Sequence, residues 1–422
     1  MNFKKITFKN GLRLVLIPQP QSLAATVLIL VEAGSEYETK NINGLSHFLE
    51  HMMFKGTKTR PDAGLISNEL DGIGAEYNAF TGPQYTGYWA KVQKKEIGKA
   101  LDIVSDLYLN PIFNPDEIDK ERGVIIEEIN MYEDTPMRRV QEVFTNLLYG
   151  DQPAGWDIAG RKEVIRALKR EDFIKYREKH YVAPKTTVVI AGSFDKKKVE
   201  EKIKGTFLGL PRRQKFQKLK TVEKQAKPEV AVKFKDSDQS HLILGVRAFD
   251  VFDKRRYAIQ LLANVLGGGM SSRLFRRVRD ELGAAYYVRA EADLTLDHGF
   301  FSVSSGVDHN KINRVLEVVL EEMNRFKKDL VLEKELEKSK EHMIGNFVLS
   351  LETSDEVASF FGGQEIITKQ IISPEEAIKK MRAVTAKEIQ KVAHDIFVNK
   401  NLNLAIIGPY KDEARFRKLL KL

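Results

Sequence analysis

The chain has 422 residues, more than a single hydrophobic core normally serves, so at least two domains are expected. Its content of 42% hydrophobic and 30% charged residues is ordinary for a globular protein, and no apolar run reaches the roughly 18 residues that a membrane helix needs. The absence of cysteine excludes disulfides and thiolate metal ligands. A reducing, cytoplasmic location and no membrane partner are therefore expected.

The net charge of +9 raises the question of nucleic acid binding. Lysine and arginine are spread along the chain among 59 acidic residues, and the one local excess lies at residues 211–228. This segment lacks apolar periodicity and is bounded by prolines, which is typical of an exposed linker. We therefore interpret it as a basic linker and expect no nucleic acid partner.

The first predicted elements are strands at 13–17 and 25–31, followed by a helix with the sequence His47-Phe-Leu-Glu-His51. Positions i, i+3 and i+4 share one helix face, so His47, Glu50 and His51 lie on the same side. Two imidazoles one turn apart can hold one Zn²⁺, and the carboxylate beside them is placed to take a proton from water. The order H-x-x-E-H is the inverzincin signature.

The competing interpretation of this motif is a chance pair of surface histidines. Eight histidines in 422 residues make such a match rare, and the flanking residues favour a real helix. Asn43 is expected to cap its start, and Gly56 stands where a left-handed residue would end it. The motif therefore predicts a zinc site.

A catalytic zinc keeps three protein ligands and one open position, so a third ligand is needed. A helix predicted to begin at Pro115 carries Glu121, Glu127 and Glu128. Glu121 and Glu128 share a face two turns apart, whereas Glu127 is rotated by about 100° from Glu128. Two carboxylates on one face suit one metal ligand and one acceptor that orients a ligating histidine. A solvated acidic stripe is the alternative.

The second half of the chain repeats the first. A strand ending in a glycine turn follows an amphipathic helix in both halves, and a second helix is matched in the same order. The predicted pairs are helices 170–179 and 385–397, strands 186–195 and 402–411, and helices 97–107 and 312–323. This order predicts an α+β fold of two duplicated domains, each a mainly antiparallel sheet with helices packed on one side. The predicted domains are 1–210, with the metal motif, and 229–422, without one.

With these motifs the chain resembles the pitrilysin family of zinc peptidases, and it is most similar to the branch that contains the mitochondrial processing peptidase β subunit and its bacterial relatives. The resemblance covers nearly the whole chain and is densest from Gly44 to Thr57. It implies a zinc-dependent endopeptidase that hydrolyses unfolded or extended peptides, presequence-like, signal-like or general, inside a closed chamber. It also implies that the chain forms half of a clamshell, completed by a second copy or by a related subunit.

The family pattern carries over to single residues of the metal site. Its ligand spacing selects Glu128 rather than Glu127 as the third zinc ligand after His47 and His51. Its second glutamate, which supports a ligating histidine, falls on Glu121. Glu50 is expected to act as general base, and whether Glu127 takes part is left open.

Substrate contacts are implied at two further places. The stretch Tyr77–Thr81 resembles a family strand that pairs with the substrate, which makes Asn78, Ala79 and Phe80 candidates for substrate binding. An ordinary hairpin turn is the alternative there. Arg279 and Tyr286 match an arginine and a tyrosine that the second domain of family members contributes to catalysis.

Two other functions compete with a peptidase. Proteins of this fold also serve as non-catalytic or partner-dependent subunits of processing complexes, but the complete ligand set of this chain argues against that function. A nucleic-acid-binding function would depend on the basic linker alone.

Overall fold

The computed structural model describes residues 1–213 and 216–422; Gln214 and Lys215, which belong to the predicted linker, lie outside the described residues. The chain divides into two compact units. The first comprises Met1–Ile129, Asp157–Leu219 and Val348–Pro374, and the second comprises Asn130–Trp156, Lys220–Phe347 and Glu375–Leu422. In the described ranges, no helix is long and apolar enough to cross a membrane.

The first unit contains a six-stranded sheet in the order β1-β2-β6-β3-β5-β4. Only the pairing of β2 with β6 is parallel, and the other neighbours are antiparallel. The strands are β1 Lys4–Thr7, β2 Arg13–Pro18, β3 Ala24–Val31, β4 Glu76–Thr81, β5 Thr86–Gln93 and β6 Thr186–Gly192.

The second unit contains a five-stranded sheet in the order β7-β11-β8-β10-β9, again with one parallel pair, β7 with β11. The strands are β7 Glu229–Phe234, β8 Ser240–Ala248, β9 Ala285–Leu294, β10 Gly299–Val307 and β11 Leu402–Gly408. Apart from β1, the two sheets have the same strand order and directions. This agreement supports the predicted duplication and confirms the mixed α+β class.

The helices lie between these strands, in several places as consecutive runs of helices. In the first half of the chain they are α1 Leu45–Met53, α2 Ala63–Gly72, α3 Ile97–Leu109, α4 Pro115–Asp134, α5 Pro136–Tyr149, α6 Lys162–Ala167, α7 Arg170–His180 and α8 Lys196–Thr206. In the second half they are α9 Arg256–Gly267, a π-helix at Phe275–Glu281, α10 Ile312–Lys328, α11 Glu333–Leu349, α12 Ser354–Ile367, α13 Pro374–Ala383, α14 Ala386–Ile396 and α15 Ala414–Arg417.

Strand β3 is apolar on both of its faces, so both faces of the first sheet need cover. Val27 and Ile29 pack into the main core with α1, whereas Leu28 and Leu30 face the other way. Helix α12 covers that second face with Phe361 and its neighbours. Helices therefore pack on both faces of this sheet, and not on one side only as predicted.

The second unit is arranged in the same way. Helix α5, from the first half of the chain, packs Phe144 against Ile243 of β8 and Ala405 of β11. Each half thus supplies one helix to the unit built mainly from the other half. The boundaries predicted at 210 and 229 do not include this exchange, because a linear division assigns each helix to the sheet nearest in sequence.

The predicted linker lies mostly within the described residues, and its interpretation as a linker stays a prediction. Residues 211–213 and 216–228 contain neither helix nor strand, and most of their side chains are exposed. Within this segment the chain passes from the first unit, at Leu219, to the second unit, at Lys220.

Helix α7 fixes the position of α1 within the first unit. The rings of Phe173 and Phe48 meet edge to face at 4.9 Å, and the hydroxyl groups of Tyr176 and Ser46 are 2.7 Å apart. At the end of α7, His180 is 1% exposed and packs on Tyr176. Burial, together with the nearby charges of Lys185 and Lys179, lowers the pKa of His180 to about 3.

The buried His180 is expected to make the protein less stable in mild acid. Its pKa is lower in the folded than in the unfolded state, so the unfolded chain takes up the proton first as the pH falls below about 6.5. Between about pH 7.5 and pH 5 this costs about 2 kcal/mol of unfolding free energy. Urea unfolding at both pH values measures the effect.

The variant His180→Gln should lack that pH-dependent loss. The same substitution at exposed His394 of α14 controls for removing a histidine as such. Equal pH dependence in wild type and His180→Gln would contradict the prediction.

Candidate metal centre

Helix α1 carries the three residues of the sequence motif, and its apolar side is embedded in the core. Leu45, Phe48, Leu49, Met52 and Met53 are all buried, which leaves the opposite side to the two histidines and Glu50. The pattern of the sequence therefore forms the predicted helix.

The capping of α1 differs from the prediction. Its N-cap residue is Gly44, at φ 97°, and not Asn43. The Asn43 amide instead donates to Glu38 and to the carbonyl of Asp157, both at 3.1 Å. Gly56 has the expected positive φ, 126°.

The structure brings His47, His51 and Glu128 together. The Nε2 atoms of His47 and His51 are 3.3 Å apart. Glu128 Oε2 lies 3.6 Å from His47 Nε2 and 3.7 Å from His51 Nε2. Zinc bonds of about 2.0–2.1 Å at tetrahedral angles would separate the ligand atoms by about 3.3 Å. Two imidazole nitrogens and one carboxylate oxygen at this spacing fit a zinc ion with one open position.

On the neighbouring helix α4, Glu121 and Glu128 lie on one face and Glu127 is turned away from it, as the helical spacing predicted. Its Asn114 side chain accepts from the backbone of Asp116 at 2.9 Å, as expected of a cap. Glu128 is half-buried and turned toward the histidines, whereas Glu127 is exposed. The donor set described here includes Glu128 and does not include Glu127.

Glu121 supports His51 from the side away from Glu128. Its Oε1 lies 2.9 Å from His51 Nδ1, which fixes the tautomer that leaves Nε2 free for a metal. Lys55 holds the other oxygen of Glu121 at 2.6 Å. Burial opposes ionisation of Glu121, but the hydrogen bonds from His51 and Lys55 outweigh it and keep the pKa of this carboxyl below its usual value.

The pKa values of the two imidazoles are shifted in opposite directions. Burial and the nearby charge of His51 lower the pKa of His47 to about 4, so its ring is neutral at physiological pH. For His51, burial also lowers the pKa, but the hydrogen bond to Glu121 together with the charges of Glu50, Glu121 and Glu128 outweighs burial, and the net shift of the pKa is upward. The protonated form of His51 cannot bind a metal through Nε2, so the affinity for metal should fall with decreasing pH.

Glu50 stands beside the donor set on the same helix and is held by a residue of the sheet. Thr81, the last residue of β4, donates its hydroxyl to Glu50 Oε2 at 2.6 Å. Burial raises the pKa of Glu50, and the hydrogen bond from Thr81 opposes that shift. A carboxyl with a raised pKa is suited to accept and return a proton.

The candidate substrate-binding residues lie in a strand and not in a hairpin turn. Asn78, Ala79 and Phe80 belong to β4, which pairs with β5 and, among the described residues, forms the edge of the sheet. Ala79 packs toward the core, while Asn78 and Phe80 are on the exposed face. An edge strand offers unpaired backbone groups to an added strand.

Arg279 and Tyr286 belong to the second unit. Arg279 lies in the π-helix, and its guanidinium donates to the Tyr286 carbonyl at 3.2 Å. Tyr286 is the second residue of β9, and the exposed fraction of this residue is 73%. The adjacent Tyr287 is half-buried, with its hydroxyl 3.2 Å from His241 Nδ1. The structure thus pairs Arg279 with Tyr286, and their role in catalysis stays a prediction.

Three residues around the site were not predicted: Glu38, Lys55 and Thr81. The Lys55 contact had a signal, because Lys55 follows His51 by one helical turn and shares its face. Thr81 closes the stretch that the family resemblance marked. Glu38 had no signal, since its contacts with α1 depend on how the chain turns between residues 38 and 44.

Comparison with protein families gives two matches that together cover most of the chain. Residues 13–162 match the model described as insulinase, peptidase family M16. Residues 167–343 match the model described as the peptidase M16 inactive domain. The metal motif lies in the first match, and Arg279 and Tyr286 lie in the second.

Full-length relatives carry the name zinc protease. The chain is 34% identical over 414 residues to the uncharacterized zinc protease YmxG of Bacillus subtilis, covering 96% of this chain and 98% of that protein. It is 32% identical over 422 residues to the uncharacterized zinc protease SCO5738 of Streptomyces coelicolor, covering 98% of this chain and 91% of that protein.

Solved structures share the fold at lower identity. A protease from Helicobacter pylori superimposes with a TM-score of 0.90 at 24% identity, over 97% of this chain and 99% of that one. A peptidase M16 inactive domain from Pseudomonas fluorescens superimposes with a TM-score of 0.90 at 17% identity, over 97% of this chain and 99% of that one. These likenesses confirm the two-domain α+β architecture.

Proposed function

Because the chain belongs to the insulinase family of peptidases, family M16, we propose that it is a zinc-dependent endopeptidase of the H-x-x-E-H type that hydrolyses unfolded or extended peptides. The observation that carries the proposal is the set of three donor atoms of His47, His51 and Glu128, spaced by 3.3 to 3.7 Å. That spacing, and the choice of two imidazoles and one carboxylate, fit zinc.

When bound, zinc supplies a Lewis acid that lowers the pKa of water toward neutrality and polarises a carbonyl. The chain's own residues supply the proton transfers. Glu50 accepts the proton of the attacking water and delivers it to the leaving amine, while Thr81 holds its carboxylate in place. Glu121 keeps the His51 ring in the orientation that directs Nε2 toward the donor set.

The free edge of β4 supports the choice of an extended peptide as substrate. A peptide that adds to this edge would gain main-chain hydrogen bonds, which require an extended chain but little side-chain identity. Asn78 and Phe80 on the exposed face are the side chains that such a peptide would meet first. The extended strands of a folded protein are already paired within its own sheets, so unfolded substrates are favoured.

For catalysis we also propose Tyr286, with Arg279, as donors to the oxyanion, on the basis of the family resemblance. Tyr286→Phe is expected to lower kcat by about 10²- to 10³-fold, as the loss of one oxyanion donor does, with KM little changed. Tyr287→Phe is the matched control, because it removes the neighbouring hydroxyl, which is 3.2 Å from His241. Steady-state kinetics that show the same kcat for Tyr286→Phe and wild type would remove Tyr286 from the mechanism.

For assembly we propose a homodimer that encloses its substrate in a chamber, and a cytoplasmic location. The support is the family resemblance and, for location, the absence of cysteine. Light scattering should give twice the chain mass of 48.1 kDa. A monomer that becomes active only when a related chain is added would favour the partner-dependent alternative.

The proposal as a whole is tested by incubating the purified protein with a mixture of unfolded peptides and identifying the cut sites by mass spectrometry. Cleavage should stop when a chelator removes the metal and resume when zinc is returned. The same sequences presented as folded domains should remain intact. Bound zinc without cleavage of any peptide would leave a non-catalytic function as the better account.

A further inference from the structure

A buried carboxylate outside the donor set contacts the start of the metal helix. Glu38 is 2% exposed and lies in the connection between β3 and α1. Its Oε2 accepts from the backbone of Gly44 at 2.8 Å and from the Asn43 amide at 3.1 Å, and its Oε1 accepts from the backbone of Ser46 at 2.6 Å. Two of these three donors are backbone N–H groups at the first turn of α1.

Helix α1 has no capping side chain of its own. Its N-cap residue is Gly44, whose φ of 97° and close neighbours exclude larger residues: an added Cβ would lie 2.6 Å from the carbonyl oxygen of Ala159. The first N–H groups of a helix need acceptors, and a negative charge there is favoured by the helix dipole. Glu38 supplies acceptors from six residues upstream of Gly44, although its burial raises the pKa of this carboxyl to about 7.

A second contact ties the same helix end to the same turn. The Ser46 hydroxyl lies 2.7 Å from that of Tyr176, which in turn donates to the carbonyl of Gly34 at 3.3 Å. Ser46 directly precedes His47. The contact of Glu38 with the Ser46 backbone and that of Tyr176 with the Ser46 hydroxyl therefore both lie one residue before the first imidazole. Glu38 and Tyr176 thus both contact Ser46 in the first turn of α1.

We propose that Glu38 is a positioning residue for the metal site, which sets the location of α1 so that His47 and His51 meet Glu128 of α4. The inference rests on the proposed zinc site. Each helical residue advances the chain by about 1.5 Å, so a small shift of α1 would move both imidazoles together away from the α4 carboxylate. A misplacement of about 1 Å in such a site has large effects on function.

The test is the variant Glu38→Gln, which keeps the size of the side chain but replaces one acceptor by a donor. Zinc affinity is measured by competition with a chromophoric chelator, and the thermal unfolding of the zinc-free protein is measured beside it. We expect Glu38→Gln to bind zinc roughly tenfold or more weakly, as when a group that orients a ligand is lost, and to lower kcat with KM unchanged.

Asp195→Asn is the matched control. Asp195 caps α8 by accepting from the backbone of Lys197 and Lys198 at 3.0 and 3.1 Å, and α8 carries none of the metal donors. Its variant should lower the thermal stability of the zinc-free protein but leave the zinc affinity unchanged. If Glu38 only stabilised the fold, Glu38→Gln would behave in the same way as Asp195→Asn.

If Glu38→Gln does not fold, Glu38→Asp decides the question, because it keeps the charge and withdraws it by about one C–C bond, 1.5 Å. Weaker zinc binding by the folded variant supports the inference, and wild-type affinity overturns it. A wild-type protein that binds no zinc would remove the proposed function itself, and the inference with it. The failure of the zinc site and the failure of the Glu38 inference are therefore distinguishable.

Discussion

Replacing Glu50 by glutamine is expected to lower kcat by about 10²- to 10⁴-fold while the zinc content stays at one ion per chain. The amide is nearly the same size as the carboxylate and can still accept a hydrogen bond from Thr81, so α1 should be undisturbed. It cannot take up the proton of the attacking water. Peptide cleavage and metal analysis on the same preparation measure both parts of the prediction.

Glu127→Gln is the matched control for this experiment. Glu127 lies on α4 next to the ligand Glu128 but is exposed, so its substitution should leave both zinc content and kcat unchanged. Substantial turnover by Glu50→Gln would show that another group acts as the base. A loss of activity in Glu127→Gln would instead bring Glu127 into the site.

Removing one histidine of the donor set is expected to remove the metal. In His51→Ala only His47 and Glu128 of the three donors remain, and Glu121 loses the ring that it holds in place. We expect the zinc affinity to fall by more than about 10²-fold and cleavage to stop with it. The loss of a residue that only orients a ligand lowers the affinity by up to about 10²-fold, and the loss of a ligand itself should exceed that. Metal analysis after dialysis against a weak chelator measures the loss.

His394→Ala serves as the control, since His394 is exposed on α14 and α14 belongs to the second unit. It should retain zinc and activity. A full zinc complement in His51→Ala after the same dialysis would show that the metal is held elsewhere, and would exclude His51 as a ligand.

The elements that carry the site could be predicted from the sequence because their signals are local. Helix α1 follows from the spacing of Phe48, Leu49, Met52 and the two histidines, and α4 from Asn114 and Pro115 at its start. The predicted strands and helices of the two halves agree with the structure within a few residues. The repeated order of these elements was enough to predict the duplicated sheets.

What the sequence did not reveal depends on contacts between distant segments. Helix α5 is amphipathic, but an amphipathic pattern does not tell which sheet the apolar side will cover, and the amphipathic pattern of α12 is weak, so the exchange of these helices was missed. Asn43 has the chemistry of a helix cap, yet the chain turns so that Gly44 occupies that position and Glu38 supplies the acceptor. Contacts such as Thr81 with Glu50 require the sheet to be formed first.

We propose that His47, His51 and Glu128 of this chain hold zinc. X-ray diffraction from crystals of the protein purified with zinc, recorded on both sides of the zinc absorption edge, locates the metal. We expect one anomalous peak per chain, about 2.0–2.2 Å from the two Nε2 atoms and from Glu128 Oε2. Zinc bound at any other set of side chains, or no peak between these three residues in protein that cleaves peptides, would contradict it.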